Sequence, residues 1–429
     1  MPDSSKTIVK IHASPLEIDA AQWNALLAAS DAPTPFMRHE YLAALHTSGS
    51  AVAANGWQAQ FVSLYAPDGQ ELLASAPLYV KDHSYGEYIF DWAWARAYQD
   101  HRLPYYPKAS VAIPFTPVPG TRLIAKNSAL TPYLLREQLL FCEQNNLSSL
   151  HGLFISDADK TATDAAQLMQ RQTVQFHWKN RAPVPSSDGT PSVSEPSQLQ
   201  QLPWRSFDEY LGGLAQDKRK KIRAERRKVS DAGITWKTSV GADISTAEWA
   251  FFYRCYERTY LEHGNPPYLT PAFFEAMQQT MPENWVLFTA QFEGQPIATS
   301  LIAVCEYPSS AAGLNYSESG SENSPKSTIK VAYGRYWGAL ARVDSLHFEA
   351  CYYQPLQWCI ENGFDRFEGG AQGEHKMARG LLPVPTYSAH WLAHPQFADA
   401  VARFLEREGA GINDYMEHLE ARSPFRSAG

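Results

Sequence analysis

Cysteine is scarce and scattered in this chain. Five cysteines among 429 residues are odd in number and include no C-x-x-C pair. This pattern argues against a disulfide framework and against a structural zinc site. They are Cys142, Cys255, Cys305, Cys351 and Cys359. We expect reduced, mainly packed cysteines and no metal.

Long apolar runs and net positive charge are also missing. No stretch approaches the roughly 18 apolar residues of a membrane span, and the N-terminal MPDSSKTIVKIHASP lacks the apolar core of a secretory signal. The sequence therefore predicts a cytoplasmic protein without a membrane span. The formal net charge of −8 disfavours a surface that binds nucleic acid everywhere, although a local basic patch could still do so.

The residues that are present indicate a large folded protein. With 44% hydrophobic and 19% charged residues, the chain can bury the cores of two domains. Segments with strand and helix periodicity alternate along both halves. This alternation predicts an α/β (α+β) fold with mixed sheets flanked by helices.

Two changes in composition divide the chain. Residues 182–203 are rich in Pro, Ser and Gln, which is typical of a linker or a surface insertion. We therefore predict an N-terminal domain at 1–181 and a C-terminal domain at 204–429. A second polar segment, 306–330, is predicted to be an insertion between two strands.

A basic helix is predicted at 217–230, just after the linker. Eight of the twelve residues from Asp217 to Lys228 are Lys or Arg. Arg219, Arg223 and Arg226 share one helical face, where guanidinium groups can contact phosphates. The alternative is an ordinary solvated face.

The segment from Phe367 to Gly380, FEGGAQGEHKMARG, is the most informative part of the sequence. It combines carboxylates, an imidazole, a lysine and an arginine with four glycines, a mixture that fills a core poorly. The bland alternative is a solvated turn. Aromatic and titratable residues also crowd LHFEACYYQ and TYSAHW nearby, which favours a ligand pocket.

Several segments in one order resemble the FemAB-like N-acyltransferases, a branch of the GNAT superfamily. They are FDWAWARAY, YYPK, PFTPVPG, QFHWKN, KRKKIRAERR, YGRYWG, LHFEACYYQ and GAQGEHKMARGLLPVPTYSAHW. The resemblance implies tandem GNAT-like domains with the active cleft in or beside the second. It also implies transfer of an acyl or aminoacyl group to an amine, with cell-envelope or peptidoglycan precursors as one context.

The acyl donor stays open between aminoacyl-tRNA and acyl-CoA. A GNAT domain that binds coenzyme A carries a glycine-rich pyrophosphate loop after its fourth strand. Here the corresponding ALARVDSLHFEACYY has no glycine after Gly338, which favours the tRNA donor of FemAB-type enzymes. Pro119 and Gly120 offer a different place for coenzyme A. We expect no tightly bound cofactor, and an amine-bearing small molecule or peptide as acceptor.

Amine attack on an acyl carbon needs a base, a donor to the oxyanion and orientation of both substrates. Glu374 and His375 are the first candidates for the base. Lys376, where the resemblance places a lysine after the glycine turn, is the candidate for holding the acyl carbonyl or a phosphate. Glu349, with His347 beside it, is the second candidate for the base, and we expect residues 374–376 to converge on one crevice.

The remaining candidates would bind substrate. They are Arg219, Arg223, Arg226, Arg335, Tyr336, Tyr352, Tyr353, Gln372, Arg379, Asp91 and Lys108. Arg335 and Trp337 should face away from Tyr336 if the strand alternates regularly. Asp91 and Lys108 belong to an aromatic and charged wall in the first half, which is predicted to be an acceptor surface or a packing edge.

Three other interpretations stay open. The chain could be a non-catalytic module that binds a cell-wall precursor or RNA through the basic helix. His347 and Cys351, four apart, could pair an imidazole with a thiolate nucleophile. His390 and His394 have a metal-compatible spacing, but Pro395 soon breaks the segment.

Overall fold

A computed structural model of the chain describes residues 7–181, 202–308, 328–371 and 373–426. The strands of the first half are β1 (Ile8–His12), β2 (Gln58–Ala59), β3 (Phe61–Tyr65), β4 (Leu72–Ala76), β5 (Leu78–Lys81), β6 (Lys108–Val111), β7 (Ile124–Ala125), β8 (Ser149–Ile155) and β9 (Met169–Lys179). Its helices are α1 (Ala20–Ala28), α2 (His39–Thr47), α3 (Trp92–Asp100), α4 (Thr131–Gln144) and α5 (Asp157–Ala165).

The second half contains the longer elements. Its strands are β10 (Ile234–Val240), β11 (Trp285–Phe292), β12 (Gln295–Pro308), β13 (Thr328–Ala339), β14 (Arg366–Ala371) and β15 (Leu382–Leu392). Its helices are α6 (Phe207–Gly213), α7 (Gln216–Asp231), α8 (Thr246–Glu262), α9 (Pro271–Thr280), α10 (Leu346–Phe348), α11 (Gln354–Glu361) and α12 (Pro395–Glu420). A π-helical turn (Glu349–Tyr353) joins α10 to α11.

Local sequence explains where several helices begin. Ser245 and Glu248 form a reciprocal capping box at the start of α8. Thr270 caps α9, and Pro271 occupies its first turn, where no backbone N–H is needed. The predicted basic helix is α7, and its buried face carries Ile222 and Val229.

The strands form two sheets. One has the order β1-β3-β4-β7, and the other has the order β10-β11-β12-β13-β14-β9-β15-β8-β6-β5-β2. In each half, antiparallel strands lead to a parallel pair, β6 with β8 and β13 with β14. The predicted fold class, α/β with mixed sheets flanked by helices in tandem halves, is confirmed.

The two halves exchange strands at the centre of the large sheet. β9 of the first half lies between β14 and β15 of the second, and β15 in turn lies between β9 and β8. The predicted linker at 182–203 falls mostly outside the described residues, as does most of the insertion at 306–330. The division into domains at 182–203 stays a prediction, although the sheet is continuous across it.

Two core clusters cover the two faces of the second half's strands. Along β11, Trp285 and Leu287 belong to one cluster, and Val286 and Phe288 belong to the other, because successive side chains of a strand point to opposite faces. We call these the first face, covered by α8, α9 and part of the first half, and the second face, covered by α7 and α11.

Glycine allows α8 to lie directly on β13. A Cβ atom at Gly338 would stand 1.9 Å from the carbonyl oxygen of Cys255. The described helices include none that is long and apolar enough to cross a bilayer.

Candidate active site

The site begins with an irregularity in β13. Its register with β12 shifts between Leu301 and Ile302, which pair with Tyr336 and Gly334, so that Arg335 is an additional residue in a β-bulge. On its other side, β13 pairs with β14 at Val331, Ala332 and Tyr333. Beyond Tyr333 the two parallel strands separate.

A cavity of about 170 Å³ lies at this separation. Its lining residues are Ser300, Gly334, Arg335, Tyr336, Trp337, His347, Cys351, Tyr352, Phe367, Gly369 and Lys376. Tyr336 belongs to the core of the first face, and Tyr352 and Phe367 belong to the core of the second. The gap between the strands therefore connects the two faces of the sheet.

The π-helical turn supplies part of the wall. It follows His347 and brings Cys351 and Tyr352 to the cavity, in keeping with the frequent occurrence of π turns at functional sites. Burial raises the pKa of the Cys351 thiol to about 12. This thiol is neutral at pH 7, which argues against the thiolate pair with His347.

Lys376 is the buried cation of the cavity. It lies in the 3-10 helix at Glu374–Arg379 between β14 and β15, and its Nζ donates to the carbonyl oxygens of Gly369 at 2.6 Å and Gly370 at 3.1 Å. Burial lowers its pKa to about 8. At pH 7 the group is mainly an ammonium ion whose position is fixed by two carbonyls.

His347 supplies a neutral imidazole. Its ring lies 5.5 Å from the Trp337 ring and 5.9 Å from the Tyr352 ring, measured between centroids. Burial, helped by the nearby His375 and Arg379, lowers the pKa of His347 to about 4. The ring is therefore neutral at pH 7 and carries one nitrogen with a free lone pair.

Glu374 does not lie with Lys376, so the predicted convergence of residues 374–376 is wrong. The Glu374 carboxylate is exposed and accepts a hydrogen bond from Tyr415 at 2.9 Å and another from Arg422 at 3.3 Å. His375 is exposed too, with its Nε2 3.1 Å from the Tyr352 hydroxyl. Successive side chains of a 3-10 helix point about 120° apart.

Glu349 and Arg226 form an ion pair with each other. Arg226 lies 3.1 Å from the buried Glu349 carboxylate, which also accepts from Gln354 at 2.7 Å. Burial raises the pKa of Glu349. This pair joins α7 to the π turn, which corrects both predicted roles.

Sequence reasoning missed Glu225, which is the hydrogen-bond partner of both Arg379 and Tyr353. The buried Arg379 donates to both Glu225 oxygens at 3.0 and 2.9 Å, and the Tyr353 hydroxyl donates to the same carboxylate. These contacts fasten the basic helix to the 3-10 turn. Arg379 and Tyr353 therefore hold the wall of the site in place and are not among the residues that line the cavity.

Asp91 and Lys108 lie inside the first half. The fully buried Lys108 ammonium pairs with Glu87 at 2.7 Å and Asp91 at 2.5 Å, and Tyr105 donates to Asp91 at 2.6 Å. The predicted acceptor surface at these two residues is wrong, because β6 carries Lys108 into the interior of the sheet.

The exposed side of α7 remains strongly basic. Lys220, Lys221, Arg223 and Arg227 are exposed and make no ion pair with any part of the chain that the structure describes. Arg219 lies 3.5 Å from the Gly212 carbonyl oxygen. The charge of Lys221 contributes to lowering the pKa of His375, so this basic surface extends towards His375.

The bulge corrects the predicted alternation on β13. Arg335, Tyr336 and Trp337 all line the cavity, because the additional residue breaks the period of two. Sequence reasoning also missed Ser300, Phe367 and the close approach of Gly369, where a Cβ atom would stand 2.4 Å from Leu381 Cδ2. The glycines of YGRYWG and FEGG were the available signal. Gln372 lies outside the described residues.

The described residues hold no cluster of three His, Cys, Asp or Glu side chains that suits a metal ion. His390 pairs with His151 through their Nδ1 atoms at 2.7 Å. Burial lowers the pKa of His390. All five cysteines are free thiols.

Comparison with known families identifies the class. The FemAB-like family, whose description is peptidoglycan biosynthesis/recognition, matches residues 14–188, 191–308 and 326–427. The chain belongs to this family. Membership supports a transferase connected with peptidoglycan.

The solved structures that match this chain have very different sequences. L-PGS from Bacillus licheniformis is 12% identical over 92% of this chain and 99% of its own, with a TM-score of 0.49. The C-terminal domain of a putative lysylphosphatidylglycerol synthetase from Agrobacterium fabrum is 9% identical over 90% and 96%, with a TM-score of 0.46. A tandem GNAT protein from the clavulanic acid biosynthesis pathway is 10% identical over 91% and 99%, with a TM-score of 0.42. No curated protein shows significant sequence similarity to the chain.

Proposed function

We propose that the protein is an N-acyltransferase that moves an acyl or aminoacyl group onto an amine of a peptidoglycan precursor or related peptide. The observation that carries this proposal is the cavity between β13 and β14 with the Lys376 ammonium inside it. Because the gap connects both faces of the sheet, donor and acceptor can enter from opposite sides and meet there. Such positioning of two substrates contributes a large part of the rate enhancement in a bimolecular reaction.

In the proposed step, the acceptor nitrogen attacks the carbonyl carbon of the donor ester or thioester. The new C–N bond forms, the bond from the acyl carbon to the donor oxygen or sulfur breaks, and that atom leaves with a proton. Lys376 donates to the carbonyl oxygen as it becomes an oxyanion. Its contacts with Gly369 and Gly370 fix its position in advance, as electrostatic stabilisation requires.

The amine also loses a proton. In the proposal, the neutral imidazole of His347 accepts this proton, directly or through water, at the edge of the cavity. Glu374 and Glu349, the carboxylates that the sequence suggested as bases, have no part because their contacts hold them elsewhere.

The donor proposed is an aminoacyl-tRNA, which would place the reaction in the cytoplasm. The exposed cations Lys220, Lys221, Arg223 and Arg227 support a donor with a chain of phosphates. The sequence from β13 to α11 has no glycine after Gly338, so no glycine-rich loop is available for a coenzyme A pyrophosphate there. Acyl-CoA is the second candidate.

A transfer assay tests the proposal. The protein is incubated with charged total tRNA or with acetyl-CoA, together with amine-bearing peptidoglycan peptides, and products are identified by mass spectrometry. Lys376→Met should lower the transfer rate about 100-fold or more, the loss typical of a missing oxyanion donor. Glu374→Gln, three residues from the end of β14 and outside the cavity, should change the rate less than about twofold.

Thermal unfolding of both variants controls for lost structure. Full activity of a folded Lys376→Met variant would contradict the proposed role. Binding of tRNA without transfer from any donor would instead favour the non-catalytic module.

A further inference from the structure

Arg335 is a partly buried guanidinium without a counter-ion in the described chain. Its Nη2 donates to the Phe115 carbonyl at 3.0 Å, the Tyr336 hydroxyl at 3.3 Å and the Thr116 hydroxyl at 3.5 Å. All three acceptors are neutral. Its Nε atom is buried and has no hydrogen-bond partner within the described ranges.

Three other buried cations of this protein, Lys108, Arg379 and Arg122, have compensating partners. Lys108 pairs with Glu87 and Asp91, and Arg379 pairs with Glu225. Arg122 is also fully buried, but its Nε, Nη1 and Nη2 each donate to a backbone carbonyl. A buried charge without a partner is costly, so the arrangement around Arg335 suits a ligand that brings the anion.

The rest of the cavity contributes one further cation. Lys376 and the neutral His347 line it with Arg335, and the described part of the lining includes neither Asp nor Glu. The cavity of about 170 Å³ has room for a carboxylate with a short carbon chain.

The position of Arg335 indicates which substrate brings the anion. Its guanidinium lies on the first face, 5.1 Å from the centre of the Phe36 ring, and contacts the first half at Phe115. The basic surface of α7, proposed above for the donor, covers the second face through Ile222. The acceptor should therefore approach from the side of Arg335.

We propose that Arg335 recognises a carboxylate carried by the amine acceptor, which would be an amino acid or a peptide whose reacting amine lies a few bonds from a carboxylate. The contacts of Nη2 hold the guanidinium in place, so that it can make charge-assisted hydrogen bonds with an anion in the cavity. This inference rests on the proposed transfer to an amine. It adds the chemical class of that amine.

A binding experiment that does not depend on the transfer reaction tests this proposal. Isothermal titration is carried out on the full-length protein with glycine, β-alanine, 4-aminobutyrate and 6-aminohexanoate, each against its own primary amide. The best acid should bind with a Kd at least about tenfold lower than the matched amide. Arg335→Met should remove this difference, and Arg335→Lys should keep part of it.

The comparison of acid and amide on the wild-type protein needs no variant, so it stands even if Arg335→Met fails to fold. Equal binding of acid and amide would overturn the proposal, as would an unchanged preference in a folded Arg335→Met variant. Tighter binding of inorganic phosphate than of any carboxylate, lost in Arg335→Met, would assign the anion site to the donor and overturn the acceptor carboxylate. A carboxylate preference in a protein that transfers nothing would defeat the proposed function and leave the binding site standing.

Discussion

Lys376 and Glu374 are two positions apart and meet opposite environments. The lysine is 6% exposed and lies among backbone carbonyls in the cavity. The glutamate is exposed and paired with Tyr415 and Arg422. Burial disfavours the charged form of a lysine and moves its pKa towards neutrality. Environment, therefore, separates a group suited to catalysis from one that supports the surface.

The lowered pKa of Lys376 predicts a decline in activity at alkaline pH. Because the pKa is about 8, the ammonium form is present below pH 8 and is lost as the pH rises through that value. Initial transfer rates between pH 6 and 10 should therefore fall above about pH 8. Lys376→Arg keeps its charge to much higher pH, so its residual activity should show no such decline below pH 10.

The same alkaline decline in wild type and Lys376→Arg would assign it to another group. His375→Gln is the matched control, because His375 is adjacent in sequence but exposed. Its profile above pH 8 should follow that of the wild type.

Single residues of the site could be predicted only in part. His347, Lys376, Arg335, Tyr336 and Tyr352 were predicted and do line one cavity. The bulge at Arg335 and the 3-10 turn at Glu374–Arg379 could not be predicted, because both depend on how the strands pair and not on local composition. The bulge and the 3-10 turn determine which of the neighbouring side chains point into the cavity and which point away from it.

At the scale of elements, α7 shows how one helix combines two tasks. Its buried positions Ile222, Glu225 and Val229 fasten it to the second half. Its predicted range, 217–230, agrees with the observed Gln216–Asp231, since a helical period and a glycine just after the helix, here Gly233, are local signals. The use of Arg226 and Glu225 as internal contacts was not predictable, because their partners Glu349 and Arg379 lie far away in sequence.

The exposed cations of α7 predict salt-dependent binding of tRNA. Replacing Lys220, Arg223 and Arg227 by Gln should weaken binding and reduce the slope of log K against log salt concentration by about 0.9 for each phosphate that is no longer neutralised. Filter binding at several salt concentrations measures both. Because these residues are exposed, the unfolding temperature should change little.

A triple variant elsewhere provides the control. Lys126, Arg136 and Arg258 already pair with carboxylates on the surface, so replacing them by Gln removes equal charge at a distance from α7 in sequence. An equal drop in affinity in this control would show that net charge, and not the basic helix, governs tRNA binding.

At the scale of the whole molecule, the exchange of β9 and β15 joins the halves into one sheet. The alternation of helices and strands was sufficient to predict the α/β class, because each period is a local property. The exchange was not predictable, because no local pattern records which distant strand becomes the neighbour. It is also what makes the boundary at 182–203 a weak guide to folding units.

This exchange predicts that the halves do not fold separately. Without residues 382–392, β8 and β9 lose the strand that pairs with both, and without residues 169–179, β14 and β15 lose theirs. Each fragment would then expose unpaired strand edges and apolar faces. Fragments 1–190 and 191–429, produced alone, should show no cooperative thermal unfolding by circular dichroism.

The same fragments produced together should co-elute as one complex and unfold in a single transition, as the uncut chain should. A cooperative transition of fragment 1–190 alone, near that of the whole chain, would mean that β8 and β9 can pair without β15, and that the exchange is not required for folding.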